Sequence, residues 1–297
     1  MIEPNPYRGA KRHSMREELV KKIRNLPPLP TILSRIVETI EDPNSSASDL
    51  EQIIRHDTAL TGKLLAVANS ASYSFRQEIT TVSRAVVSIG FEEVRNLCVG
   101  ICMMGFLHPS VFGNKERAQS LWLHALAVAE AASLMAREQD RVKADQAFAA
   151  GLLHDIGKVV SEAYFHNEVN ALRELVEERR VPYQEAEKSL EIEHDQMGLL
   201  LGRSWKLPPV LNEAIGRHHR LGADLAYPEM VSTVHLADYL AYTLDFPCQY
   251  RTTPPEIDVQ ALEFLGIGRQ GLDEAGLSLG RRRDKIVSVW NKLLELE

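Results

Sequence analysis

Leu152-Leu153-His154-Asp155-Ile156-Gly157-Lys158 is the stretch from which the rest of the chain can be read. On a helix running from Gln146 to Phe165, the residues Phe148, Leu152, Ile156 and Val159 fall on one face. Asp155 stands three residues after Leu152 and four before Val159, and so lies against that apolar face. A carboxylate there is costly unless it is paired or bound to metal. His154 adjoins it, and Lys158, three residues on, is placed to neutralise an anion beside it.

Moving outward, other helices repeat this placement of a polar side chain on an apolar face. His124 sits among Leu121, Leu123, Ala125 and Val128 in an Ala-rich helix from Leu121 to Arg137. His194 precedes Gly198 by four residues, so a small residue on the same face lets another helix approach. His218 and His219 end a helix begun by Pro208 and Pro209, and His235 and Asp238 are one turn apart in a helix from Val231 to Leu244. A single histidine on an apolar helix is more often a satisfied core residue than a ligand. Here the order His124, His154-Asp155, His194, His218-His219, Asp238 runs over separate helices, which is how helical bundles build metal sites. Imidazole and carboxylate together suit Fe, Mn or Zn.

The first half follows the same all-helical pattern. Helices are expected from Glu17 to Asn25, stopped by Leu26-Pro27-Pro28-Leu29-Pro30, and from Thr31 to about Asp42-Pro43 on Ile32, Leu33, Ile36, Val37 and Ile40. Ser48 with Glu51 reads as a capping box, and Asp57 as the cap of a helix holding Leu60, Leu64, Leu65, Val67 and Ala68. Gly90 separates a helix at Val82–Ile89 from one at Glu92–Leu107, superficially a helix-turn-helix. Its second helix, with Val94, Leu97, Val99, Ile101 and Met103, lacks base-reading side chains and reads as core. His108 to Asn114 is expected as a loop, with further helices over Val169–Arg179, Tyr183–Gly202 and Arg281–Leu296. The division predicted is a polar tail (1–16), an N-terminal helical subdomain (17–112), a helical bundle (113–250) and a C-terminal helical extension (251–297).

Composition narrows the class. A chain of 297 residues with 44% hydrophobic and 25% charged residues buries an ordinary core. Cys98, Cys102 and Cys248 have no metal-finger spacing and read as buried thiols of a reducing cytosol. No signal peptide opens the chain, and no apolar run approaches the roughly 18 residues of a membrane helix, so a soluble cytoplasmic protein is expected. A net charge of -7 opposes a nucleic-acid surface, although Arg281 to Arg283 form a local basic run.

These residues resemble the HD superfamily of metal-dependent phosphohydrolases, with His124, His154, Asp155 and Asp238 at the matching positions. More closely, the chain resembles the HD-related output domain family, HDOD, over roughly 18 to 222. The matching stretches are Leu26 to Pro30, His56-Asp57-Thr58-Ala59-Leu60-Thr61, Ala68-Asn69-Ser70-Ala71, Ala85 to Gly90, Gly151 to Lys158, Glu193-His194, Trp205 to Pro208 and His218-His219. The resemblance implies an N-terminal helical subdomain packed on an HD-like bundle, and a regulatory role with protein partners in bacterial signal transduction. It also implies an incomplete catalytic set, yet candidates stand here at nearly every ligand position. The alternative is a phosphohydrolase acting on a nucleotide or cyclic nucleotide, with one or two divalent ions. In that reading His194, His218 and His219 hold the second ion, Asp155 serves catalysis and Lys158 binds phosphate. His194 and His218-His219 also resemble the HD-GYP phosphodiesterases, but Arg220-Leu221-Gly222-Ala223-Asp224 follows where those carry Gly-Tyr-Pro.

Overall fold

The computed structural model describes residues 29–42, 44–105, 115–139, 141–246 and 254–295. The expected helix at Glu17–Asn25, the loop at 108–114 and Cys248 lie outside them. Among the described residues every regular element is a helix, in agreement with the all-α reading.

The helices are α1 (Thr31–Glu41), α2 (Ala47–Arg55), α3 (Thr58–Ala68), α4 (Val82–Ile89), α5 (Phe91–Met104), α6 (Lys115–Gln139), α7 (Ala144–Leu153), α8 (Ile156–Tyr164), α9 (His166–Arg173), α10 (Tyr183–Leu190), α11 (His194–Ser204), α12 (Pro209–Arg217), α13 (Pro228–Thr243), α14 (Val259–Leu265), α15 (Arg269–Gly280) and α16 (Arg283–Leu294). The long helix α6 is the axis of the second half: α7, α13, α15 and α16 all pack on it. The first five helices bury Leu33, Ile36, Leu50, Ile54, Leu64 and Val94 among themselves, and α1 and α5 also touch α7. α16 reaches α3 as well as α6, so the C-terminal helix packs on both halves.

Several local expectations need correction. The capping box of α2 is Ser46 with Asp49, not Ser48 with Glu51, because the extended residue that precedes the first turn is Ser46. Asp57 does cap α3, accepting the Leu60 N–H at 2.9 Å. Gly90, at φ +93°, supplies the left-handed step between α4 and α5, and Val94, Val99, Ile101 and Met103 of α5 are core. The helix expected at Val169–Arg179 is α9 followed by a π turn at Glu174–Glu178. Tyr183–Gly202 is two helices, parted where Glu191 takes φ +60°. The basic run is not free: Arg282 pairs with Glu130 and Arg283 with Asp245. Asn69 ends α3 and accepts the Ile79 N–H while donating to the Ile79 carbonyl, which fixes the loop that follows.

The most consequential difference lies in the opening stretch. Gln146–Phe165 is not one helix: α7 stops at Leu153 and α8 starts at Ile156, with Asp155 between them at φ −99°, ψ +13°. The bend turns His154 and Asp155 inward. α8 can then cross α11 at close range, because Gly157 and Gly198 face each other; a Cβ on Gly157 would lie 1.8 Å from the His194 carbonyl oxygen.

Candidate metal centre

Four buried imidazoles from different elements meet around Asp155. His124 is on α6, His154 follows α7, His194 begins α11 and His218 caps the end of α12. Each has its Nδ1 turned away from the cluster and occupied. His124 Nδ1 lies 2.7 Å from the Phe246 carbonyl, His154 Nδ1 2.7 Å from the Gly151 carbonyl, and His218 Nδ1 2.9 Å from the Ile215 carbonyl. A carbonyl only accepts, so these three imidazoles carry a proton on Nδ1, which leaves Nε2 as the inward-facing ligand atom. His194 Nδ1 meets the Glu187 carboxylate at 2.7 and 2.8 Å. Holding one ring nitrogen in this way fixes the other as a ligand.

The inward atoms converge on the two oxygens of Asp155. Oδ2 lies 3.3 Å from His154 Nε2 and 3.7 Å from His124 Nε2. Oδ1 lies 3.3 Å from His194 Nε2 and 3.9 Å from His218 Nε2. Asp238, from α13, brings Oδ1 to 3.2 Å from His124 Nε2. His124, His154 and Asp155 offer ligand atoms all within 4.8 Å of one another, and so do His194, His218 and His219. Nε2 of His124, Nε2 of His154 and Oδ1 of Asp155 are buried without a hydrogen-bond partner. His194 Nε2 and His218 Nε2 face each other at 3.4 Å. Buried acceptors left unsatisfied cost about 1–3 kcal/mol each. The donor set thus fits divalent cations on both sides of Asp155.

Charge in the site follows the same layout. Burial would raise the Asp155 carboxyl, but His154, Lys158 and His194 outweigh it and hold it well below the usual carboxylate range. Lys158 Nζ is 2.5 Å from Oδ2. Burial, with His154 and His194 alongside, pushes His218 well below the ordinary imidazole value, which keeps its lone pair available. For His194 burial acts downward, but the Glu187 carboxylate outweighs it and raises the group.

His219 is half-buried, its ring 4.0 Å from that of His218, and marks the side on which the centre opens. It lines a cleft of about 810 Å³ together with Tyr183, His235 and Pro255, and a smaller one of about 150 Å³ with Glu187, His194 and Arg220. All the ligand positions expected from sequence are therefore brought to one place. His235, one turn from Asp238, is buried but turned elsewhere. Glu187 and the Phe246 carbonyl were not anticipated. Glu187 shares a buried face with Tyr183 and Ala186, the same sign of a carboxylate on an apolar face that marked Asp155.

A family model described as HDOD domain matches residues 26–221. An uncharacterized protein of Treponema pallidum (strain Nichols) is 28% identical over 239 residues, which is 80% of this chain. The chain spans about half that relative's length, 46%. Among solved structures, an HDOD domain protein of unknown function from Geobacter sulfurreducens superposes with a TM-score of 0.71 at 24% identity, covering 95% of this chain and 99% of that one. A provisionally named signal transduction protein from Marinobacter aquaeolei VT8 gives 0.78 at 24% identity, over 96% of this chain and 66% of the other. A provisionally named phosphohydrolase from Shewanella amazonensis SB2B gives 0.71 at 22% identity, over 93% and 97%. At these identities the structural likeness speaks for the fold.

Proposed function

Since this chain belongs to the HDOD family, we propose that it is a signal-transduction output module built around a metal centre, its role chiefly regulatory. One observation carries this reading: Asp155 offers one carboxylate oxygen to His124 and His154 and the other to His194 and His218. One ion position would then use His124, His154, Asp155 and Asp238. The other would use Asp155, His194, His218 and His219. Ions of the Fe, Mn or Zn type would act as electrostatic keystones, joining helices that otherwise bring unsatisfied acceptors together. Metal occupancy would alter how α6, α7 and α11–α13 pack, and α7 touches α1 and α5, the part of the molecule proposed to meet protein partners.

A second reading, hydrolysis of a nucleotide phosphoester, is favoured by the cleft beside His219 and by Lys158. Bound divalent ions supply a hydroxide nucleophile near neutral pH. The chain's own part would be Lys158, whose ammonium can pair with a phosphate oxygen, and Asp155, which stays ionised between the two positions. The experiment is elemental analysis of protein purified without chelator, followed by phosphate-release assays on a nucleotide panel with Mn or Fe. Bound metal without turnover supports the regulatory reading. Turnover abolished by Asp155→Ala replaces it with the enzymatic one, and absence of metal from the wild type at saturating supply defeats both.

A further inference from the structure

His235 is a buried imidazole on α13, the helix that also delivers Asp238 one turn later. Both of its nitrogens are in use, and neither points to the cluster. Nδ1 lies 2.8 Å from the His218 carbonyl oxygen, and Nε2 accepts the Asp258 N–H at 3.0 Å. A carbonyl accepts and an amide donates, so the ring is neutral with its proton on Nδ1. It is therefore not a ligand.

The bond to His218 falls where the backbone most needs one. α12 ends at Arg217, and His218 and His219 follow it in a turn. The last carbonyls of a helix have no donor within it. Here one is taken by a rigid side chain from the neighbouring helix. We infer that His235 is a positioning residue of the metal centre: by holding the His218 carbonyl it keeps the His218–His219 turn in the register that aims both imidazoles at the position shared with His194. The inference rests on the two-position reading proposed above, and it assigns α13 two tasks: Asp238 serves the first position directly, and His235 serves the second through the backbone. The same ring also ties Asp258, at the start of α14, to the centre, so a wall of the 810 Å³ cleft hangs from it.

The two hydrogen bonds can be separated by substitution. The amide nitrogen of asparagine sits close to where Nδ1 does, so His235→Asn keeps a donor for the His218 carbonyl and loses the Asp258 contact. The amide of glutamine reaches the Nε2 position, so His235→Gln keeps an acceptor for Asp258 and loses the His218 bond. His235→Ala loses both. Metal-free full-length proteins are titrated with Co(II), following stoichiometry by calorimetry and the two sites by their visible absorption. The wild type is expected to take up two ions. His235→Gln and His235→Ala should weaken the second ion by about 10–100-fold, the usual effect of removing such a support, and leave the first unchanged. His235→Asn should remain close to wild type. Equal binding by all the variants overturns the inference, and so does a weakened Asn variant beside a normal Gln variant, which would place the importance in the Asp258 bond. If the wild type itself takes up fewer than two ions, the two-position reading fails and the inference with it, a result visible before any variant is made. Retention of the first ion in each variant shows that the fold has survived.

Discussion

Glu187 holds the Nδ1 of His194 with both carboxylate oxygens, at 2.7 and 2.8 Å, from α10, a helix that contributes no ligand of its own. The pair links the outer helices to the centre of the bundle. It makes the imidazole a better donor and fixes the direction of its Nε2.

Glu187→Gln preserves an acceptor for the Nδ1 proton but removes the charge. Affinity at the His194 position should fall about 10-fold, and Glu187→Ala should lower it about 100-fold, with the His124 position unchanged. Calorimetric titration with Mn or Co reads both. Unchanged affinity in the Ala variant would contradict the orienting role.

Lys158 competes with any cation for Asp155 Oδ2. Lys158→Met should therefore bind divalent metal more tightly than wild type while lowering the melting temperature of the metal-free protein, since Asp155 then lacks its paired cation. A loss of metal affinity in this variant would show that Lys158 supports the ions.

Gly157 has no room for a methyl group, because the obstacle is the His194 backbone and not a side chain that can move. Overpacking of this kind typically costs about 1–3 kcal/mol and occasionally more; Gly157→Ala should sit at the upper end. Urea unfolding measures it. A midpoint equal to wild type would mean that α8 and α11 separate easily.

Acid should loosen the C-terminal helix. Glu93 is half enclosed with Tyr73 (Oη to carboxylate 2.6 Å) and Lys285 of α16. Burial would raise its pKa, but Lys285, Tyr73 and Arg282 outweigh that and hold it below the ordinary 4.5. The folded value lies below the unfolded one, so Glu93 contributes stability above about pH 4.5 that is lost as pH falls through its folded pKa. Glu130 runs the other way: burial and the nearby Glu93 raise it, so its contribution is present below the unfolded value and is lost as pH rises. The melting-temperature gap between wild type and Glu93→Gln should close as pH drops below about 4.5, and Glu130→Gln should stabilise at neutral pH. Gaps independent of pH would contradict both assignments.

Much of the centre was legible because its chemistry conflicts with its surroundings. His124 and Asp238 occupy positions that a helix turns toward apolar neighbours, and Asp155 falls on such a position in the sequence spacing although it stands at the bend between α7 and α8; such placements stand out in the pattern. The all-α fold followed from the same periodicity, and the family from the resemblance of short stretches such as Gly151 to Lys158 and His218-His219, which the match over residues 26–221 bears out. Less legible was whatever depends on backbone direction. The break between Leu153 and Ile156 lies inside a run with unbroken helical spacing, and the left-handed Glu191 carries no glycine to mark it. His235 shows the limit of spacing most clearly: one turn from Asp238, it serves the turn at His218 because that carbonyl, supplied by another helix, stands within reach.

The central claim is that Asp155 stands between two metal positions. Crystals of the protein grown with Mn(II) and measured at the manganese absorption edge test it directly. Two anomalous peaks are expected on either side of Asp155, about 3.5–4 Å apart as in other two-metal sites, one beside His124, His154 and Asp238 and the other beside His194, His218 and His219. A map without peaks among these residues, at metal concentrations that saturate uptake in solution, would contradict it.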